Sequence, residues 1–279
     1  MPIHDQSYHR YRGEKRQLGL SWLVITWAHI QTLVRKRTFL GLLIFAWIPF
    51  IVRAVQMYVA ANFAQAAILQ PSAQTFRDYL DQQSPFLFFV TVYVGAGLIA
   101  NDRRANALQI YLSKPLTRAE YIAGKLAVLL AFLLLVTWIP GILLLIVQML
   151  FAGSFAFIKA NLFLFPAITL TSFIHVLLAA FTMLALSSLS NSSRFVGIMY
   201  AGAVLFSSAM FNVLRGITGS SRAAWLSFGA NVEQIGDVIF RLPPRYDTPW
   251  MVSLIAIAAL IAVSISILER RVRGVEVVT

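Results

Sequence analysis

Apolar side chains gather in six long runs, at about residues 38–60, 85–101, 121–151, 163–186, 195–213 and 249–268. A bilayer's hydrocarbon core is about 30 Å thick and takes about 20 apolar residues of helix to cross. Each run therefore predicts a membrane-spanning helix, because an isolated span in lipid must satisfy its backbone polar groups internally. The third run is too long for one straight crossing, since it would reach roughly 45 Å as a helix. Pro140 and Gly141 lie inside it. The run predicts one helix, kinked near Pro140 and extending beyond the bilayer. A hairpin at that point would leave two spans too short for lipid.

The segments between the runs carry their own patterns. Within residues 18–37, Leu23, Trp27, Ile30 and Val34 recur at helical spacing, interrupted by Thr26, His29 and Thr32 and closed by Arg35, Lys36 and Arg37. This predicts an amphipathic helix lying along the membrane interface, with Trp22 and Trp27 at headgroup depth. Residues 102–117 form the second connection. There Ala105, Leu108, Tyr111 and Leu112 make one face of a short helix that Pro115 ends. Thr117 and Glu120 then fit a capping box for the next span, with Leu116 and Tyr121 placed as its hydrophobic staple. Residues 61–84 read as a polar loop with Arg77, Asp78 and Asp81. Residues 214–248 read as a longer loop. Within it Asn231 is placed to cap an interfacial or re-entrant helix carrying Val232, Ile235, Ile239 and Leu242, ended by Pro243 and Pro244.

Composition agrees with a membrane protein. Of the 279 residues, 59% are hydrophobic and only 12% charged. That excludes an ordinary water-soluble enzyme and equally a disordered chain. With no cysteine, disulfides, thiolate-held metals and thiol catalysis are excluded too. The net charge is +12, from 23 Lys and Arg against 11 Asp and Glu. The apolar runs assign this surplus to a membrane surface rather than to nucleic acid. Sixteen of the cations fall in the N-terminal segment, the second-to-third and fourth-to-fifth connections and the C-terminal tail. Six fall on the opposite side: Arg77, Lys159, Arg215, Arg222, Arg241 and Arg245. By the positive-inside rule both termini are expected in the cytoplasm. Residues 1–17 are polar, with no cleavage site after an early apolar stretch, so the first span is expected to be retained. The expectation is an all-α polytopic membrane protein, one domain over residues 1–279, with six spans and an N-terminal interfacial helix.

Catalytic motifs are missing. No G-x-x-x-x-G-K-[ST] string is present to cradle nucleotide phosphates, and no H-E-x-x-H string or pair of metal-ligand residues sits in a span. No catalytic residue and no metal ligand is nominated. Arg53 and His175 lie at membrane depth, where ionisable groups are costly and usually face a cavity or the protein interior. They are candidates for a translocation path. The competing readings are snorkelling for Arg53 and an interhelical hydrogen bond for His175. An intramembrane hydrolase using His175 is one alternative function, though no G-x-S-x-G string supports it. An ion-coupled secondary transporter using both residues is another, without the intramembrane carboxylate that proton coupling commonly uses. Small residues Gly95, Gly97, Gly197 and Ala201 are placed for close helix approach, within one chain or across a dimer seam.

The stretch GLIANDRRANALQIYLSKPLTRAEYIAGKL, residues 97–126, resembles the second-to-third-span connection of ABC-2 type permeases. These are the membrane subunits of ATP-binding cassette exporters, and the likeness is nearest to the permeases grouped with the nitrous-oxide-reductase maturation transporter. The matching features are Asp102-Arg103, the apolar face from Leu108 to Leu112, the string Ser113-Lys114-Pro115-Leu116-Thr117-Arg118, and Gly124-Lys125. The six-span layout and the tail from Leu268 to Arg273 are similar as well. The resemblance implies the ABC-2 exporter fold and the cytoplasmic membrane of a bacterium or archaeon. It implies a separate cytosolic ABC ATPase that holds the ATP and magnesium, no cofactor in this chain, and a second permease copy or a sister permease. It also implies that Arg103, Leu108, Tyr111, Leu112 and Pro115 belong to a coupling segment that docks on the ATPase.

Overall fold

The computed structural model describes residues 21–63, 70–107, 117–152 and 161–272. Among them the chain is all helical, with no strand. Helix α1 covers Ser21–Val34, α2 Arg37–Ala46, α3 Ile48–Asn62, α4 Ala73–Gln82, α5 Ser84–Gly95 and α6 Ala100–Arg104. After these come α7 (Arg118–Val136), α8 (Trp138–Ala152), α9 (Leu164–Leu189), α10 (Ser193–Thr218), α11 (Phe228–Ile239) and α12 (Trp250–Arg271). Six helical columns among the described residues are long and apolar enough to cross a membrane: Arg37–Asn62, Ala73–Arg104, Arg118–Phe151, Leu164–Leu189, Ser193–Thr218 and Trp250–Arg271. The second, third and fourth form the centre, with 56%, 44% and 50% of their most apolar stretch buried. The first, fifth and sixth lie at the periphery, with 17%, 17% and 22%.

The second column corrects the reading of 61–84 as loop throughout. It begins at Ala73, because residues 73–82 are an amphipathic helix. Thr75, Phe76, Tyr79 and Leu80 are buried on one face, and the Thr75 hydroxyl accepts from the Ser72 N–H at 3.1 Å. The charged residues Arg77, Asp78 and Asp81 fill the other positions and hide the apolar period from a hydropathy scan.

Three columns break just ahead of a proline. The breaks are at Trp47 before Pro49, at Gln83 before Pro85 and at Thr137 before Pro140. Proline has no N–H and its ring crowds the carbonyl four residues back, so the fault appears in the preceding turn. The third column is interrupted there and continues as helix beyond Pro140. The faults lie at a common depth. Gln83 Nε2 donates to the Ala46 carbonyl at 3.2 Å and to the Tyr79 hydroxyl at 2.7 Å, joining the first two breaks. A Cβ on Gly141, one turn past Thr137, would stand 3.7 Å from the Tyr79 ring.

This depth divides two apolar cores. On the side of Arg37 and Arg104, Phe39, Leu87, Val94, Leu129, Val136, Val176 and Met183 pack together. On the other side the core holds Met57, Phe76, Tyr79, Leu144, Leu164, Ile168 and Phe240. Between them sit the buried polar residues Gln83, Thr137, Thr171 and Ser172. Of the central columns only α9 runs unbroken through both cores.

The end remote from Arg37 and Arg104 is closed by α11, which lays Val232 and Ile235 against Leu178 and Ile257. Its cap is Ser227, whose hydroxyl accepts from the Ala230 N–H at 3.3 Å. Asn231 is not the cap. It lies buried in the first turn, where its amide donates to the carbonyls of Trp225 and Ser227. The helix stops at Ile239. Arg241 turns left-handed (φ 58°) and the Leu242 N–H reaches back to the Asp237 carbonyl at 2.8 Å, so Leu242 lies beyond the helix. Asp237 is fully buried and takes Arg245 Nε at 3.0 Å and Arg77 Nη1 at 3.2 Å. Arg245 also holds Asp81 at 2.6 Å. These pairs fasten α4 to α11 and to the chain after it. Burial opposes the Arg245 charge, but hydrogen bonds to Asp237 and the neighbouring Asp81 outweigh it and raise its pKa.

Candidate functional site at the basic end of the bundle

At the opposite end, the connection between the second and third columns is anchored on both flanks. On the entering flank, α5 gives way to a turn at residues 96–99 before α6 starts. The N–H groups that begin α6 lack carbonyl partners one turn back. Ser187, on α9, supplies the replacement. Its hydroxyl accepts from the N–H of Ile99 at 3.1 Å and of Ala100 at 3.0 Å, and donates to the Ala96 carbonyl at 3.0 Å. Arg103 donates from its guanidinium to the Ser188 carbonyl. Helix α6 is thereby bonded to the last turns of α9.

On the leaving flank the capping box of α7 is present. The Glu120 N–H donates to Thr117 Oγ1 at 3.2 Å, and the Thr117 N–H donates to Glu120 Oε2 at 2.9 Å. One and two turns further on, Tyr121 and Lys125 point to the same side (i, i+4). Both are fully buried, and both meet Asp102 of α6. Lys125 Nζ lies 2.6 Å from Asp102 Oδ2, and the Tyr121 hydroxyl donates to that oxygen at 2.8 Å. The ammonium also stands 5.4 Å from the centre of the Tyr121 ring. A buried charge is tolerated when it is paired and hydrogen-bonded, and Lys125 is both.

Helix α1 completes the cluster. Leu23, Trp27 and Val34, on the apolar face read as lying along the membrane interface, are exposed at 44%, 62% and 41%. Of the residues read as interruptions, Thr26 and His29 turn inward, while Thr32 is exposed. Thr26 donates to the Gly124 carbonyl at 3.0 Å, and His29 Nε2 accepts from Lys125 Nζ at 2.9 Å. The His29 Nδ1–H donates to the Ile25 carbonyl at 2.9 Å, which leaves Nε2 with the free lone pair. Burial and the Lys125 charge hold the His29 pKa below its ordinary value, against the opposing pull of the Ile25 carbonyl and Asp102. Gly124 makes the approach close: a Cβ there would lie 3.0 Å from the Trp22 carbonyl oxygen. The Leu23, Trp27 and Val34 face is left exposed, while Thr26 and His29 find partners in the bundle.

Of the nominated coupling residues, Arg103 is half-buried and committed to α9, while its neighbour Arg104 is exposed. Helix α6 ends at Arg104, and Asn106 is left-handed (φ 53°), so the helix is not continuous from 102 onward. Leu108, Tyr111, Leu112 and Pro115 lie outside the described residues, as does the staple residue Leu116. The two path candidates are not brought together. Arg53 bonds Gln56 Oε1 at 2.8 Å and Gln82 Oε1 at 3.2 Å. His175 is half-buried on α9, with no hydrogen-bond partner, serine included, among the described residues.

Sequence reasoning passed over Thr26, His29, Tyr121, Lys125 and Ser187 as members of a site. One signal was available: Lys125 is a lone cation near the start of a 31-residue apolar run, with Asp102 the nearest preceding carboxylate outside a helix cap. Among the described residues no three His, Cys, Asp or Glu side chains converge to hold a metal. Compared with known proteins, the chain matches no protein-family model and no curated sequence.

Proposed function

We propose that this chain is the permease subunit of an ATP-driven exporter, carrying an unidentified substrate across a cytoplasmic membrane on the hydrolysis of a separate ATPase. The reading rests on the likeness of residues 97–126 to ABC-2 permeases. One observation carries it further. Both flanks of that connection are bonded into the bundle, through Asp102 and Arg103 before it and Tyr121 and Lys125 after it. A force applied to residues 105–117 enters at a stiff point shared by α1, α6, α7 and α9. A floppy linker would dissipate the same force. In this reading the connection, both termini and the cations of the Arg37 and Arg104 end face the cytosol. The partner ATPase supplies the ATP and magnesium sites, and a second permease copy or a sister permease completes the path. Because Arg103 is committed to α9, the contact with the ATPase falls to Leu108, Tyr111 and Leu112, with Arg104 as the exposed cation beside them.

Affinity purification from native membranes tests the proposal. The expected result is co-purification of a P-loop ATPase whose hydrolysis is stimulated by the intact complex. Leu108→Asp or Tyr111→Asp is expected to abolish that stimulation while leaving the chain folded. A chain that purifies alone, or Asp variants that keep full stimulation, would overturn it.

A further inference from the structure

Beside the Lys125 cluster, α7, α9 and α12 part to leave a groove of about 540 Å³. Ile122 and Leu126 of α7, Phe181 of α9, and Ile265 and Leu268 of α12 supply apolar walls. The groove lies near the ends of membrane-length helices, at the first turns of α7 and the last turns of α12, so its walls sit at hydrocarbon depth and its mouth at headgroup depth. Arg118, the first residue of α7, and Glu269, near the end of α12, border it, and both are exposed. Among the described residues neither takes part in an ion pair, with the other or with any third group. The other nearby carboxylate, Glu120, is occupied by the capping box of α7.

An apolar slot that, among the described residues lining it, sets one cation and one anion apart at its mouth matches a particular headgroup chemistry. A phosphate fits Arg118, and a primary ammonium fits Glu269. A headgroup carrying negative charge alone would set it against Glu269. A quaternary ammonium has no N–H to donate to that carboxylate. We propose that this groove is a binding site for one phosphatidylethanolamine molecule. Its acyl chain lies between Ile122, Leu126, Phe181 and Leu268, its phosphate on Arg118 and its ammonium on Glu269. The site does not depend on the transport reading, since it needs only the bilayer.

The test uses the full chain in nanodiscs and a phosphatidylethanolamine bearing a photoreactive group in its acyl chain. Labelling is expected on the peptides holding Ile122, Leu126 and Phe181. Unlabelled phosphatidylethanolamine should compete at least fivefold better than phosphatidylglycerol or phosphatidylcholine. Ala123→Trp fills the groove and should cut labelling of those peptides at least fivefold. Ala119→Phe does the same from one turn away and decides the matter should the tryptophan variant not fold. Glu269→Gln should erase the preference over phosphatidylcholine, and Arg118→Gln should weaken all three lipids. Equal competition by the three lipids, preference for another of them, or labelling unaffected by a folded groove-filling variant would overturn the site.

Discussion

Lys125 and Asp102 face each other at 2.6 Å, with the lysine wholly removed from solvent. The pair joins the two sides of the second-to-third connection. Removing one partner from a buried pair strands the other and costs about 3–5 kcal/mol. Asp102→Asn strands the wholly buried Lys125 ammonium and is therefore expected to destabilise the fold by about that amount, and Lys125→Met by less, because the Asp102 it leaves behind keeps some solvent contact. The double variant is expected to recover a large part of the loss. A double-mutant cycle on unfolding free energy measures this, and additive losses would show that the two residues do not interact.

The same cluster is sensitive to acid through His29. Its pKa lies below the ordinary 6.5 because of burial and the Lys125 charge. The folded state therefore binds this proton less readily than the unfolded chain. The histidine's contribution is complete above pH 6.5 and is lost as pH falls from there toward the folded-state pKa. Wild type is expected to melt at a lower temperature at pH 5.5 than at pH 7.5, and His29→Gln to show a smaller drop. Equal drops in the two proteins would remove His29 from the explanation.

Glycines separate packed from open helix faces. Gly124→Ala pushes a methyl to 3.0 Å from the Trp22 carbonyl oxygen, and α1 must shift, at a cost of about 1–3 kcal/mol. Gly202, on α10, has nothing within 4 Å of the same added carbon, so Gly202→Ala is expected to leave the melting temperature of the isolated chain unchanged. Melting curves of the two variants give the contrast, which a loss in Gly202→Ala as large as in Gly124→Ala would contradict.

At the far end, Asp237 carries two guanidinium groups while fully buried. Asp237→Ala removes the one buried carboxylate that Arg77 and Arg245 share, leaving both on Asp81, and is expected to cost roughly 1–3 kcal/mol in lost charged hydrogen bonds. The chain between α10 and α12 should then be cut faster by added protease. Cleavage at the wild-type rate would mean that the pairs do not hold α11 down.

The six apolar columns were legible because lipid demands long uninterrupted hydrocarbon, and hydropathy reads that directly. The break in the helix ahead of Pro140 was legible for a covalent reason, the missing N–H. What escaped notice depended on distant partners. Thr26 and His29 read as flaws in an apolar stripe, because nothing local announces that Lys125 and the Gly124 carbonyl await them 96 and 98 residues on. Ser227 took the capping position from Asn231 because helix α11 starts earlier than its apolar period suggests. Ser187 looks like any serine in a small-residue stretch, and its three bonds to the α5–α6 turn exist only once α9 has docked.

Three helices give way at one level, and a fourth, α9, passes through intact. Mechanically the molecule is two stacked blocks threaded on a common rod. A bend confined to the level of Gln83 would tilt one block on the other without unpacking either, since each keeps its own hydrocarbon filling. The amide of Gln83, bonded to the Ala46 carbonyl across the joint, is then the stitch that any such tilt has to stretch first.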